Sequence, residues 1–482
     1  MDRMLENVKL MTNFTMEARQ KQVDILVFPE NGIVSLHPDG RNDTERYGQY
    51  VPDPKDKVVP CLLPVNNRTE VTNALSCMAR KGGMYVVVNM AERADCKKGQ
   101  DKGCDDDGNL FFNCNVVFDR NGTVIAKWRK LHLWHENPRY NYGNLTNEDA
   151  MFTTDFGVTF TQHICFDILF GRPSLANIEK YGVKDVIMST AWVDSLPFGI
   201  SPQWQYGWSR DAGANLVVAG LHLFYKGSLG SGIYPAASNP KNFTYTWDDT
   251  QEGGKLLVAD VNTTKSKLFE GKMVTPRYPS TPLEQNLPEK NHDTESAHTT
   301  HTSGIPVPHH NITRWDLSTF EIIDLPPKSF QIVELCDYAE DETQVCCQVV
   351  WDNPNGTTHY LLMASSGVMN ITNYFFFNQV CAVVHCPTGD IDSCAEVGPP
   401  THESLPHFTL TGFFKTPYVQ PSVVTQDLKL VSEEHWKYET IKGKYNESTT
   451  ASIASETMDN LMAATLWGRW YDKDPYCQHY PC

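Results

Sequence analysis

The sequence predicts an α/β domain followed by a mostly β domain. Between residues 1 and 275, helical patterns alternate with short runs rich in Val and Ile, which is typical of a central, largely buried sheet. Over residues 312–482, short alternating runs with clustered cysteines indicate a disulfide-supported β domain. The stretch 276–311 is rich in Pro, Ser, Thr, Asn and His and has no periodicity, so it predicts a linker or long loop.

The elements of each domain follow from local patterns. Residues 4–23 have the spacing of an amphipathic helix, and the next run, DILVFPE, predicts a buried strand that ends at Pro29-Glu30. The FDRNG sequence at 118–122 predicts a hairpin turn, and PSLANIEKYG at 173–182 predicts a helix that ends at its glycine. Further strands are predicted in MYVVVNMAE, CNVVF, TVIAKWRK, VTFTQHICF, DVIMSTAW and NLVVAGLHL, and, in the second domain, in FEIIDL, SFQIVEL, QVCCQVVW, HYLLMA, NYFFFNQVCAVVHC and HFTLTGFFK.

Charge and composition narrow the classes of partner. The 482 residues include 58 acidic and 41 basic ones, a formal net charge of −17, whereas nucleic acids and anionic membranes are bound by basic surfaces. No apolar run reaches the roughly 18 residues that a membrane-spanning helix needs. We therefore expect no nucleic-acid partner, no transmembrane segment and no cofactor; a homo-oligomer is compatible with the sequence.

Cysteines and glycosylation motifs indicate a secreted or luminal glycoprotein. Fourteen cysteines, several in close pairs, are typical of an oxidising compartment. The acceptor triplet N-x-S/T begins at Asn13, Asn42, Asn67, Asn121, Asn144, Asn242, Asn262, Asn311, Asn355, Asn370 and Asn446. The polar start MDRMLENVKL differs from a signal peptide, so we expect this sequence to lack its natural start.

Histidines are concentrated in the 276–311 stretch. They are His292, His298, His301, His309 and His310. A metal site needs ligands in fixed geometry, and the pair His298 and His301 lies in no convincing helical pattern. A solvated loop is therefore the preferred interpretation, and no metal is predicted.

Three segments of the first domain carry residues suited to catalysis. Glu30 follows a buried strand, where open α/β sheets place their sites; a surface acid is the alternative interpretation. Lys127, Arg129 and Lys130 crowd the end of another strand, and a solvated strand end is the alternative there. Cys165 lies at a predicted strand-to-helix corner, where backbone N–H groups and a helix N-terminus lower the pKa of a thiol and hold an oxyanion. The alternative is a structural cysteine.

The order Pro-Glu, Lys and Cys-Phe-Asp resembles the nitrilase superfamily of carbon–nitrogen hydrolases. The segments NALSCMARKGGMYVVVNMAER, NVVFDRNGTVIAKWRKLHLWHEN, ICFDILFGRP, STAWVDSLP and GSGIYPA resemble its vanin (pantetheinase) and biotinidase branch, as do VCCQ and LWGRWYDKD near the C-terminus. The resemblance covers nearly the whole chain. It implies a nitrilase-like α-β-β-α sandwich with an appended, disulfide-containing, mostly β domain at 312–482.

The resemblance also implies roles for individual residues. Cys165 is the expected nucleophile, Glu30 the general base and Lys130 the oxyanion-stabilising cation, with support from Glu136 and the N–H of Phe166. A compact ammonium suits a developing point charge better than a planar guanidinium does, which favours Lys130 over Arg129.

The expected reaction is hydrolysis of a small linear amide through a cysteine thioester. Pantetheine, giving pantothenate and cysteamine, is the first candidate substrate, and a biotin amide is the alternative. A third hypothesis, of another class, is a vanin-like glycoprotein that kept the fold and has a binding or structural role without catalysis.

The sequence differs from the family at several places. Asn31 follows the Pro-Glu pair where the family has an acid, and His163-Ile164 precedes the nucleophile where the family has Phe-Thr or a similar pair. Because residues i and i+2 of a strand share a face, His163 is expected either to face Cys165 and tune its thiol or to serve packing. The family's first strand has no counterpart, so the sheet is expected to be incomplete.

The cysteine count bears on Cys165. If its thiol is free, thirteen cysteines remain, so a second must be unpaired, and Cys114 is the best candidate because family members carry another residue there. The other twelve can form Cys61–Cys77, Cys96–Cys104, Cys336–Cys346, Cys347–Cys381, Cys386–Cys394 and Cys477–Cys482; the first two and the last rest on proximity, and the others are guesses. The rival disulfide, Cys114–Cys165, would close the site.

Overall fold

The computed structural model describes ten stretches of the chain. They are residues 2–34, 40–223, 227–236, 242–247, 253–263, 312–371, 373–394, 407–443, 448–455 and 460–475. The predicted linker at 276–311 with its five histidines lies outside the described residues, as do Asn446 and the proposed Cys477–Cys482 pair.

The described α-helices all lie in the first half of the chain, whereas strands occur throughout. The helices are α1 Asp2–Gln20, α2 Arg41–Tyr47, α3 Glu70–Gly82, α4 Ser174–Tyr181 and α5 Ser201–Ala212. The first strands are β1 Ile25–Val27, β2 Gln49–Tyr50, β3 Tyr85–Asp95, β4 Asn109–Phe118, β5 Val124–Arg129, β6 Met151–Thr153, β7 Thr159–Ile164, β8 Asp185–Thr190, β9 Ser195–Leu196, β10 Asn215–Gly220, β11 Ser231–Pro235 and β12 Thr244–Thr246. The later strands are β13 Thr313–Arg314, β14 Glu321–Leu325, β15 Ser329–Tyr338, β16 Gln344–Asn353, β17 Tyr360–Ile371, β18 Tyr374–His385, β19 His407–Phe414, β20 Tyr418–Thr425, β21 Trp436–Lys442, β22 Thr449–Ser455 and β23 Leu461–Arg469.

Two sheets pack face to face in the first domain. One has the order β1-β3-β4-β5, with β2 also paired to β3, and the other has the order β12-β11-β10-β8-β7-β6. Side chains alternate across each strand. Val87 of β3 points to the second sheet and packs with Val117 and Ile187. Val86 and Val88 point the other way, into a cluster with apolar residues of α1 and α3.

The second sheet is covered on its outer face by α4 and α5. Val186 and Met188 of β8 share a buried cluster with Trp204 and Trp208 of α5. Helices therefore flank both sheets, and the predicted α-β-β-α sandwich is confirmed.

Three of the predicted local features are confirmed: the hairpin, the glycine end of a helix and the strand-to-helix corner. β4 and β5 pair through the predicted hairpin, where Gly122 has a φ of 80° and an added Cβ would lie 2.4 Å from Ser76 O, so glycine is required there. α4 ends at the predicted glycine, Gly182. At the predicted strand-to-helix corner after β7, Cys165–Leu169 form a short 3-10 helix, and α4 follows from Ser174.

The C-terminal domain is a sandwich of two antiparallel sheets, which confirms its predicted β character. Their strand orders are β14-β17-β18-β23-β20 and β15-β16-β19-β22-β21. Trp351 of β16 packs against Tyr360 of β17 with ring centroids 5.1 Å apart, so the two sheets share one core.

The two domains share a continuous hydrophobic cluster. Trp204 of α5 packs on Trp467 of β23, with ring centroids 5.6 Å apart. Gly207 lets the backbone of α5 approach β20, because a Cβ added there would lie 3.2 Å from Pro421 O. α5 is therefore buried between the second sheet and the C-terminal domain.

Five disulfides join the pairs predicted within the described residues. They are Cys61–Cys77, Cys96–Cys104, Cys336–Cys346, Cys347–Cys381 and Cys386–Cys394. Cys114 and Cys165 are both free and buried, so the rival disulfide between them is not formed.

The surface carries the predicted glycosylation motifs. Every acceptor asparagine within the described ranges is exposed: Asn13, Asn42, Asn67, Asn121, Asn144, Asn242, Asn262, Asn355 and Asn370. Among the described helices, none has the length and apolar character needed to cross a membrane.

Candidate active site

Three residues from distant parts of the chain meet at the carboxyl ends of β1, β5 and β7. Glu30 follows β1, Lys130 directly follows β5, and Cys165 directly follows β7. They are 1%, 2% and 7% exposed, respectively, so all three lie in a water-poor environment. This is the edge at which open α/β sheets place their sites.

Glu30 is held by three hydrogen bonds. Its Oε1 accepts from Lys130 Nζ at 2.8 Å and from Asn113 Nδ2 at 2.7 Å, and its Oε2 accepts from the Ala191 N–H at 2.8 Å. Ala191 directly follows β8, so the carboxylate joins both sheets. Its orientation is fixed before any substrate binds.

Lys130 is shared between two buried carboxylates. Besides Glu30, its Nζ contacts Glu136 Oε2 at 2.6 Å, and Glu136 Oε1 accepts from Asn113 Nδ2 at 2.8 Å. Burial favours a neutral amine, but Glu136 and Glu30 outweigh it and raise the pKa of Lys130 well above its usual value. Burial raises the pKa of Glu136, and the charge of Glu30 raises it further. The charge of Lys130 acts in the opposite direction. The ammonium is therefore a permanent charge at ordinary pH.

Cys165 lies at a strained corner. Its φ of 46° is in the left-handed region, which is costly for a residue with a Cβ and is often found where a side chain is presented for function. Burial raises the pKa of its thiol to about 12, and Glu30 adds to this; Lys130, Thr190 and the Ala191 backbone act more weakly in the opposite direction. The expectation that the corner lowers the pKa of this thiol is therefore wrong, because burial outweighs the local dipoles.

Asp167 ties the corner to the segment that follows Lys130. Its Oδ2 accepts from Trp128 Nε1 at 3.0 Å and from the Ile164 N–H at 3.1 Å, and its Oδ1 lies 2.9 Å from both the N and the Nδ1 of His132. Burial opposes ionisation, yet these hydrogen bonds, with His132 foremost, lower the pKa of Asp167. A buried carboxylate with this many donors fixes the corner rigidly.

Comparison with known proteins places this chain in a family. A carbon–nitrogen hydrolase model matches residues 4–206, and a model of the vanin C-terminal domain matches residues 310–474. Biotinidase of Mus musculus is 28% identical across 98% of this chain and 88% of its own length; pantetheinase of the same species is 27% identical across 98% and 84%. The chain is a carbon–nitrogen hydrolase of the vanin and biotinidase branch.

A human relative and a solved structure extend the comparison. Pantetheine hydrolase VNN2 of Homo sapiens is 27% identical to the hydrolase over 98% of this chain and 84% of its own. An amidase from Nesterenkonia sp. matches 50% of this chain and 83% of its own at 16% identity, with a TM-score of 0.35, too low to bear on the assignment. The hydrolase acts on carbon–nitrogen bonds of linear amides.

A network of asparagines that sequence reasoning missed supports the charged residues. Asn89 Nδ2 donates to Asn113 Oδ1 at 2.7 Å and to Asn115 Oδ1 at 3.1 Å, and Asn89 Oδ1 accepts from the Asn31 N–H at 3.0 Å. β3 and β4 pair with Asn89 opposite Asn115. The signal was present as polar residues at i and i+2, NCN, within an otherwise apolar strand. Asn31 takes part in this network through its backbone N–H.

The other two basic residues of the 127–130 run lie elsewhere. Lys127 and Arg129 both bind Glu92, with nitrogen–oxygen distances of 2.7 Å. This pairing shows that the run is not a solvated strand end, since Glu92 is 1% exposed. In a strand, neighbouring residues point to opposite faces, and Lys130, one step beyond Arg129, turns to Glu30 instead.

His163 packs away from these charges. Its Nδ1 lies 2.8 Å from Ser174 Oγ, and its ring packs edge-on against Trp208 at 5.3 Å. Burial lowers its pKa to about 4, so it is neutral at ordinary pH. These contacts favour the packing interpretation. Across the described part of the chain, no cluster of three or more His, Cys, Asp or Glu side chains is arranged to hold a metal.

Proposed function

We propose that the hydrolase cleaves pantetheine to pantothenate and cysteamine through a thioester on Cys165. The observation that carries this proposal is the buried Glu30–Lys130 pair, 2.8 Å apart, beside a free, buried cysteine. A base, a cation and a nucleophile held together without water are what acyl transfer from an unreactive amide needs.

In the first step, the Sγ of Cys165 forms a bond to the amide carbonyl carbon while its proton passes to Glu30. Because the pKa of the thiol is about 12, a standing thiolate is scarce at neutral pH and a base is required. The carbonyl oxygen becomes an oxyanion, which the ammonium of Lys130 and the N–H of Phe166 stabilise. Glu136 balances the charge of Lys130 throughout.

In the second step, the carbon–nitrogen bond breaks and Glu30 returns the proton to the leaving amine. Water then attacks the thioester, Glu30 takes one proton from it, and the carbon–sulfur bond breaks with protonation of Cys165. The acid is released and the thiol is regenerated, so no cofactor or net oxidation is involved.

The choice of substrate rests on the relatives. Relatives named pantetheinase or pantetheine hydrolase, at 26–27% identity, support pantetheine. The biotinidase of Mus musculus, at 28%, supports a biotin amide as the second candidate. Leu131, Leu145 and Trp192 form an apolar cluster with Cys165, which suits an acyl chain of either kind.

Replacing Cys165 by alanine should lower kcat at least about 10⁴-fold, because the covalent step loses its nucleophile. The measurement is hydrolysis of a chromogenic pantothenate amide, with circular dichroism to check folding. Cys114→Ala is the matched control, since Cys114 is the other free, buried cysteine, and it should retain activity. Activity of Cys165→Ala close to that of the unmodified protein would exclude the thioester mechanism.

A side-by-side assay of a pantothenate amide and a biotin amide should separate the two substrates. We expect a kcat/KM at least about tenfold higher for the pantothenate amide, since one methylene of pocket mismatch already costs that much. Faster hydrolysis of the biotin amide would instead identify biotin amides as the substrate class. No turnover of either amide, with Cys165 unreactive to alkylation, would favour the non-catalytic glycoprotein.

We also propose that the hydrolase is secreted and N-glycosylated. Its disulfides are typical of proteins from oxidising compartments. The exposure of every described acceptor asparagine supports glycosylation, because a glycan must project into solvent.

A further inference from the structure

The loop of residues 131–136 delivers Glu136 to Lys130 without regular secondary structure of its own. Within it, His132 is held by Asp167 at one end. At the other end, His135 has a φ of 51°, in the left-handed region, which is uncommon and costly for a residue with a Cβ. The conformation of the loop near His135 therefore depends on contacts that restrain it.

The C-terminal domain supplies that restraint through Tyr374. The Oη of Tyr374 accepts a hydrogen bond from the His135 N–H at 2.8 Å and donates one to Leu133 O at 2.8 Å. One hydroxyl thus bridges two backbone groups on either side of Trp134. The Trp134 N–H in turn lies 3.2 Å from Glu136 Oε2.

The ring of Tyr374 also reaches the nucleophile's corner. It packs edge-on against Phe166, the residue after Cys165, with centroids 4.7 Å apart, and against His135 at 5.1 Å. Tyr374 begins β18, which is paired with β17 on one side and β23 on the other. Tyr374 itself pairs with Ile371 of β17, and the pairing of β18 with β23 begins at Asn378.

We propose that Tyr374 is a positioning residue for the amide-hydrolysing site. Its hydroxyl fixes the 131–136 loop so that Glu136 meets Lys130, while its ring fixes Phe166, whose N–H receives the oxyanion. The C-terminal domain thereby sets the geometry of a site to which it contributes no reacting group. This inference rests on the proposed thioester mechanism.

Replacing Tyr374 by phenylalanine keeps the ring and removes both hydrogen bonds. We expect kcat for the pantothenate amide to fall about tenfold to hundredfold with KM within about twofold, because a shift of about 1 Å in a catalytic group has effects of this size. Tyr418→Phe is the matched control: its hydroxyl also crosses the domain interface, to Glu179 Oε1 at 2.6 Å, but on α4, away from Lys130. It should leave kcat unchanged.

A double variant shows whether Tyr374 acts through Glu136. In a Glu136→Ala background, Tyr374→Phe should cost less than threefold further, since the group it positions is gone. The proposal is overturned if Tyr374→Phe keeps the kcat of the unmodified protein, if Tyr418→Phe loses as much, or if the two losses multiply in the double variant. Activity of Cys165→Ala close to that of the unmodified protein would instead reject the mechanism on which the proposal rests.

Discussion

Replacing Lys130 by methionine should both abolish efficient hydrolysis and destabilise the fold. The substitution removes the oxyanion's cation, which corresponds to a loss of about 10²–10³-fold in kcat. It also leaves Glu30 and Glu136 buried without their cation, and breaking a buried pair in this way costs about 3–5 kcal/mol in the free energy of unfolding. Activity and urea denaturation at pH 7 measure the two effects.

The pH dependence of that destabilisation identifies its cause. Burial already raises the pKa of Glu136, and without Lys130 it rises further. A carboxyl whose pKa is higher in the folded than in the unfolded protein destabilises the fold increasingly as the pH rises above about 4. The deficit of Lys130→Met relative to the unmodified protein should therefore be small near pH 4 and full at pH 7.

Lys127→Met is the matched control for Lys130→Met. Glu92 keeps the two hydrogen bonds from Arg129 when Lys127 is lost. We expect a loss of about 1 kcal/mol and little change in kcat. A pH-independent deficit in Lys130→Met, or equal losses in both variants, would contradict the role of Lys130 as the shared counter-ion.

Replacing Arg469 by methionine should lower the free energy of unfolding by about 3–5 kcal/mol, because it breaks a fully buried charge pair. Arg469 is 1% exposed. Its guanidinium donates to Asp474 Oδ2 at 2.6 Å, to Phe377 O at 2.8 Å and, across the domain interface, to Leu169 O at 2.9 Å. Leu169 ends the 3-10 helix that begins at Cys165. A lower urea midpoint, with parallel loss of hydrolysis, is the expected result.

Lys473→Met provides the comparison for Arg469. Lys473 lies just beyond β23 and pairs with Asp341, but their side chains are 27% and 52% exposed. Exposed pairs contribute about 0.2–1 kcal/mol, so the midpoint should barely move. If Arg469→Met were no more destabilising than Lys473→Met, the buried guanidinium would not be holding the domains together.

Local patterns in the sequence predicted an α/β domain with a buried sheet, whereas the α-β-β-α sandwich followed from the family resemblance. Glu30 and Cys165 each follow an apolar run, and they meet because the packing of the two sheets brings the carboxyl ends of β1 and β7 together. The family resemblance then singled out Lys130. The structure adds the reason that Arg129 does not reach Glu30 as Lys130 does. Arg129 lies one residue earlier, so its side chain points to the opposite face of the strand and pairs with Glu92.

The rest of the site depends on facts that no local pattern contains. Asn113 contacts Glu30 and Glu136 only because β3 and β4 pair in one particular register. Tyr374 lies 239 residues from His135 in the chain. The direction of the shift in the pKa of Cys165 depends on burial, which outweighs the nearby donors and is decided by the complete fold.

The position of α5 means that the two domains of this protein are not independent structural units. The helix covers the second sheet with one side and meets β20 and β23 with the other, so Trp204 belongs to two cores at once. Each half would therefore expose large aromatic surface if it existed alone. We therefore expect the two halves to fold and unfold together as one cooperative unit.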